Sequence, residues 1–301
     1  MKVSAYAGNI CAIVRTSKEI KKLVDCLNYY GLASSAAINW NKCQALWIGP
    51  CQLPMPVLPE RLTWSYNGMK YLGVFIGDAA TQAKNWEGLA EALEQKLLKW
   101  KGLLALLSYR GRVLVINNLA ASLLWHRMKA IPPPELFLLN IQKTLTNFFW
   151  SGKHWLRPQI LNLPLEEGGQ GLVDIVCRAM AFGVASIWRL LYGPSDLVWR
   201  SAALLILRQA GMLDFSSGLF LMNMKCIDLS LLPPFYNSIL NAWRVFIVDR
   251  DYLSYTKDMF LNEPLFYNSL FKRIRTERSF IDHFIQNGVH CVSDLMIDNT
   301  R

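Results

Sequence analysis

Residues 4–14 read SAYAGNICAIV. A small-residue strand, the pair Gly8-Asn9 and an apolar strand follow one another with no residue to spare. Gly and Asn readily close two-residue hairpin loops, so the spacing predicts a tight antiparallel hairpin with Gly8-Asn9 at its turn. Directly after it, RTSKEIKKLVDCLNYYG (15–31) carries Thr16 followed three residues later by Glu19, a capping box. Ile20, Leu23, Val24 and Leu27 fall on one helical face, and Gly31 reads as the stop. Lys18, Lys21, Lys22 and Asp25 take the outer face, whose plainest reading is a solvated surface.

The next stretch, SAAINWNKCQALWIG (35–49), reads as two short strands around a polar turn at Asn39 to Lys42. The proline-rich GPCQLPMPVLPE (49–60) breaks regular structure. Beyond it, RLTWSYNGMKYLGVFIG (61–77) predicts a second hairpin, with Asn67-Gly68 as its type I′ pair. Residues 1–77 are therefore expected to form an α+β layer, one helix packed on a partial antiparallel sheet.

From residue 78 the period changes. Trp86, Leu89, Leu93, Leu97 and Trp100 recur at helical spacing. Ser108 is placed to cap a second helix with a buried stripe of Val113, Ile116, Leu119, Leu123 and Leu124. Arg110 and Arg112 lie in its first turn, where the helix dipole favours acids. They read either as phosphate contacts or as tolerated surface charges. Pro132 to Pro134 stop that helix. A third starts at Glu135 and buries Phe137, Leu138, Ile141, Leu145, Phe148 and Phe149. Residues 78–150 thus read as a small helical bundle.

Residues 151–301 form a third, mostly helical region. It opens with SGKHWLRPQILNLPLEEGGQGLVDI (151–175), an irregular segment or a hairpin with Gly168-Gly169 at its turn. Lys153, His154 and Arg157 lie beside Trp150 and Trp155. The cluster reads as a stacking surface for single strands or as core tryptophans in a wet loop. A helix follows from Asp174 to a Gly193-Pro194 stop, then another from about Leu197 to Gln209. The last sixty residues carry no legible motif.

Bulk composition narrows the classes. The chain has 301 residues, 52% hydrophobic, with a formal charge of +10 and a pI near 9.3. That balance favours a polyanionic partner, nucleic acid before an anionic membrane surface. No stretch reaches the roughly eighteen uninterrupted apolar residues of a bilayer span, and the opening residues do not resemble a secretory leader. Seven cysteines, none in a C-x-x-C pair, argue against a zinc module and read as reduced, intracellular core residues. The four histidines fall in no triad motif, no phosphate-binding Gly-x-x-x-x-Gly-Lys loop occurs, and Glu166-Glu167 reads as a solvated turn.

The order of elements resembles one family: the downstream part of the reverse transcriptase of non-LTR, LINE-type retrotransposons. There the first hairpin carries Tyr-Ala-Asp-Asp, which AYAGNICAIV resembles with both acids changed, Gly8 and Asn9 standing in their places. GLASSAAINWNKCQALWIG resembles the following motif, whose lysine would be Lys42. KYLGVFIG resembles the primer grip, through Tyr71, Leu72 and Gly73. Residues 84–150 resemble the thumb, where Arg110, Arg112, Arg127 and Lys129 would meet phosphates. FFWSGKH and LPLEEGGQGLVDI resemble the segment that follows it.

The family's chemistry is RNA-directed DNA polymerisation by two Mg²⁺ ions on carboxylates. The resemblance therefore implies an inactive fragment: 1–77 the end of the palm, 78–150 the thumb, 151–301 the region beyond. It would hold no metal or cofactor, because the carboxylates are replaced and the upstream acid-bearing strand would precede Met1. Its expected partner is RNA or DNA, bound without sequence preference and salt-sensitively, inside the cell, in cytoplasm or nucleus, and not at a membrane. The alternative is a structural or protein-interaction role, with self-association through an exposed palm edge.

Overall fold

The computed structural model describes residues 1–6, 8–49, 56–59, 62–246, 255–268, 270–271 and 277–296. Cys51, most of the proline-rich connector and Ala7 of the first hairpin lie outside them. The chain divides into two compact units, Met1–Ala90 and Glu91–Arg301, and its fold class is α+β, as expected.

In the first unit, β1 (Lys2–Tyr6) and β2 (Asn9–Ile13) pair antiparallel, with Tyr6 opposite Asn9. Asn9 is thus a strand residue and not part of the turn. Helix α1 (Ser17–Ser34) starts where the capping residues place it: the Thr16 hydroxyl accepts from the Glu19 N–H at 3.3 Å. The Glu19 carboxylate turns back to the Arg15 N–H at 2.7 Å rather than to Thr16. The helix does not stop at Gly31; it runs a turn further to Ser35, whose φ of 57° ends it in the left-handed region. Gly31 serves a close approach instead, since a Cβ there would lie 2.7 Å from the Ala36 carbonyl oxygen.

The expected single antiparallel sheet is three separate two-stranded ladders among the described residues. Of the two short strands expected around Asn39 to Lys42, only the second forms, as β3 (Ala45–Leu46), and a short turn of 3₁₀ helix, Trp40–Lys42, occupies the polar turn. It pairs parallel with β4 (Trp64–Ser65). The third ladder joins β5 (Gly68–Tyr71) to β6 (Val74–Gly77), with Gly68 opposite Gly77 and Tyr71 opposite Val74.

That register moves the turn from Asn67-Gly68 to Leu72-Gly73, both in the left-handed region at φ 48° and 83°. Type I′ loops require two such residues. Gly68 is kept small by crowding: a Cβ would lie 2.5 Å from both the Ile76 carbonyl oxygen and Thr81 Cγ2. Helix α2 (Ala79–Ala83) follows, capped by the Asp78 carboxylate on the Thr81 N–H. Fully buried Asn85 then brackets β6: its Oδ1 accepts from the Phe75 N–H at 2.9 Å and its Nδ2 donates to the Phe75 carbonyl at 2.8 Å. A side-chain amide does the work of a missing strand at that edge.

Helix α3 (Leu89–Lys101) buries Leu93 and Leu97 as the spacing predicts. Helix α4 (Tyr109–Leu114) is capped by the Ser108 hydroxyl on the Gly111 N–H at 3.2 Å. It does not continue straight into α5 (Ser122–Ala130). Between them Val115–Ala120 forms a π-helical segment, closed by the Ala121 N–H on the Ile116 carbonyl at 2.8 Å. The extra residue in that turn slips the buried stripe, so Ala120 and Leu124 are buried while Leu119 is turned outward. Helix α6 (Glu135–Trp150) buries Leu138, Ile141, Leu145 and Phe149.

After α6 the segment with Gly168-Gly169 is not a hairpin. Short α7 (Pro158–Asn162) and a 3₁₀ turn lead into an irregular run, Gly171–Asp174, held by two more side-chain amides. Asn117 Nδ2 donates to the Gly171 carbonyl at 2.9 Å, and its Oδ1 accepts from the Val173 N–H at 3.0 Å. Gln142 Oε1 accepts from the Ile175 N–H at 2.8 Å. Asp174 caps α8 (Ile175–Tyr192) through the Cys177 N–H.

Beyond it, α9 (Arg200–Leu207) and α10 (Pro234–Phe246) close a core cluster built on Ile187, Leu190, Leu207, Leu219, Phe220 and Leu240. Gly183 lets α8 and α10 cross closely, since a Cβ there would meet Ala242 Cβ at 3.1 Å. Helices α11 (Lys257–Leu261) and α12 (Arg278–Gln286) complete the unit, with Phe266 and Ile281 joining the same core. Helices α11 and α12 lie in the stretch where no motif is legible. The six described cysteines carry no disulfide, and none is fully buried: Cys26, Cys177 and Cys226 are exposed, against the expectation of core residues.

Candidate nucleic-acid interface

At the tip of the first hairpin, Gly8 has open space around it and Asn9 lies in β2 beside it. Mg²⁺ needs anionic oxygen, and this pair offers a missing side chain and a neutral amide. The tip does not fit the family's metal site. Among the described residues no three His, Cys, Asp or Glu side chains converge at one point. Lys42 ends the 3₁₀ turn before β3 and is exposed. Its strand is tied to the third ladder through Gln44, whose Oε1 accepts from the Lys70 N–H at 3.1 Å. Tyr71, Leu72 and Gly73 form the tight loop of that ladder, with Leu72 and Gly73 at the solvent. Lys70 stacks on the Phe75 ring at 5.1 Å.

In the second unit the four predicted cations part ways. Arg110 is exposed at the start of α4. Arg112 is turned inward: Nη2 donates to the Leu104 carbonyl and Nη1 to the Phe149 carbonyl, both at 2.8 Å, and Nε reaches Leu107 at 3.3 Å. Its guanidinium ties the last turn of α6 to the turns that follow α3, a structural use that sequence position alone does not reveal. Arg127 is half-buried on α5, and Lys129 is exposed with its ammonium 5.1 Å from the Phe182 ring centroid. A matching pair lies on the same two helices, with Arg178 5.6 Å from Trp125. The rings themselves meet edge to face at 5.9 Å. Arg178, Trp125 and Phe182 belong to a cationic–aromatic surface that the motif spacing missed; a period scan sees Trp125 and Phe182 only as core candidates.

An open cleft of about 890 Å³ adjoins this surface, between Pro132–Pro134, α8 and α10, with Lys129 and Arg244 on its lining. Of the basic cluster after α6, Trp150 is buried, whereas Trp155 is 72% exposed with Lys153, His154 and Arg157 around it. His154 Nε2 is 2.6 Å from Asn147 Oδ1.

Comparison with known proteins gives one line of kinship. Over 274 residues, 90% of its length, the chain is 35% identical to the Transposon TX1 uncharacterized 149 kDa protein of Xenopus laevis. The chain is related to a transposon protein. It spans only about a fifth (21%) of that relative's length. No family model matches it.

Among the described residues one helix, α8, has by length and composition what a membrane crossing requires. One of its faces packs on α5, α6 and α10, and it carries Arg178 and Arg189.

Proposed function

We propose that the chain is a reverse-transcriptase-derived piece of a non-LTR retrotransposon that has lost polymerase chemistry and retains nonspecific, salt-sensitive binding of RNA or DNA inside the cell. The observation that carries the reading is the hairpin tip. Gly8 and Asn9 stand where two carboxylates would be needed, inside an ordered series of motifs, in a chain related to a transposon protein. Arg110, Arg127 and Lys129 supply mobile or ring-supported cations for phosphates, an interaction driven by counterion release. Lys42 and the Tyr71-Leu72-Gly73 loop have no chemistry to assist without bound metal and nucleotide.

Two measurements test it. Primer extension with Mg²⁺ is expected to give no product, and detectable DNA synthesis overturns the inactive reading. Filter binding across a salt series is expected to show affinity falling steeply from low to moderate salt. Replacing Arg110, Arg127 and Lys129 by Gln should flatten that slope by about one per lost phosphate contact. Absence of binding at low salt sinks the nucleic-acid reading.

A second reading has an observation of its own. Val3 and Ile10 lie on one face of the first hairpin, 53% and 52% exposed, with Ala5 and Ala12 between them. An apolar face on an unpaired strand edge favours association with another chain. A concentration-independent monomer in size-exclusion chromatography counts against it.

A further inference from the structure

We infer that the outward face of α8 is a docking platform for unpaired nucleic acid, with Trp188 and Tyr192 stacking on bases and Arg178 and Arg189 meeting phosphates. The inference rests on the reading of the chain as a nucleic-acid binder and names the strand form that it takes. At about 100° per residue, Arg178, Ala181, Ala185, Trp188, Arg189 and Tyr192 fall within an arc of about 100°. All six are exposed, while Ile175, Ile187 and Leu190 on the opposite side are buried. Trp188 and Tyr192 are 60% and 69% exposed, and their ring centroids lie 4.4 Å apart. Two large aromatics left at the solvent, already against each other, are a costly surface for a helix that only packs.

Charge selects the occupant. The helix has two arginines and no acid over its 18 residues, in a chain of net charge +10. At the N-terminal end Arg178 is fixed over Trp125, and Lys129 over Phe182. Ring support holds these cations at the surface with less freedom to lose on binding a phosphate. Ala181 and Ala185 leave the middle of the face shallow, so a strand can lie along its length of about 21 Å. A duplex hides its base faces and cannot use the aromatic pair, whereas a single strand can.

The test compares a 20-nucleotide oligothymidylate with a 20-base-pair duplex by fluorescence anisotropy at low salt, using the full chain. The paired variant W188A/Y192A is expected to lose about tenfold or more in affinity for the single strand, with duplex affinity unchanged. The ring-preserving W188F/Y192F should retain most of the single-strand affinity, which a folding defect would not allow. If the alanine pair changes neither affinity, the platform is overturned while general nucleic-acid binding stands. If the parent chain binds neither oligonucleotide, both readings fall. Flotation with phosphatidylserine-containing vesicles supplies the remaining arm. Vesicle binding lost in the alanine pair, with oligothymidylate binding intact, assigns the face to a membrane and overturns the proposal.

Discussion

Arg112 Nη1 and the carbonyl oxygen of Phe149 lie 2.8 Å apart across 37 residues of sequence, so a cation in the first turn of α4 closes the last turn of α6. The same guanidinium holds the Leu104 and Leu107 carbonyls. Charged hydrogen bonds to carbonyls are worth more than neutral ones. Lys cannot span three acceptors with one ammonium. R112K is therefore expected to cost roughly 1–3 kcal/mol in chemical denaturation, whereas R110Q, two residues away and exposed, should leave stability nearly unchanged. Equal losses for the two would contradict the structural assignment of Arg112.

Leu72 adopts φ 48° at the first position of its loop, a conformation that costs a branched residue about 1 kcal/mol. L72N is expected to raise the melting temperature, because Asn tolerates the left-handed region. G73A, at φ 83°, should lower it. Thermal melts of both variants decide the matter, and a destabilising L72N would place the turn elsewhere.

Asn85 satisfies both backbone groups of Phe75 while fully buried. N85A leaves that N–H and carbonyl unpaired beside a cavity, at a cost of about 2–4 kcal/mol. N85D should be nearly as harmful, since a carboxylate cannot donate to the carbonyl. Urea denaturation of the full chain reads both losses.

The Asp294 carboxylate accepts from the Cys291 N–H at 2.7 Å and the His290 N–H at 2.8 Å, and those bonds hold its pKa below the ordinary carboxylate range. A lowered folded pKa contributes stability above the unfolded value, and that contribution is lost as pH falls through the folded one. Melting temperatures of the parent and D294N should differ by a constant amount from neutral pH down to about pH 4. The gap should then close under stronger acid. A gap that widens on acidification contradicts the assignment.

What the sequence makes legible is local. Thr16, Ser108 and Asp174 cap their helices where the spacing places them, because a cap needs only the next three residues. Both hairpins are legible as hairpins, yet neither turn falls on the expected pair. At Asn67-Gly68 the strongest turn dipeptide yields to register: Val74 is buried, Asn85 grips Phe75, and Gly68 is spent on a crowded approach. The stripe through Leu119 is misplaced by the π turn, which no periodicity announces. Arg112 reads as a surface cation because its partners lie as far off as Phe149. Around Phe220 the core is assembled from short 3₁₀ turns, too brief for a period to emerge.

The run from Gly171 to Asp174 belongs to neither helix nor sheet, yet the Val173 N–H within it and the Ile175 N–H at the start of α8 end on the side-chain oxygens of Asn117 and Gln142. In deuterated solvent these two amides should keep their protons longer than loop position alone would allow. They would let go only when the π-helical segment or α6 lets go. A pair of main-chain hydrogens at the entry to one helix would thus act as a clock for helices more than thirty residues upstream.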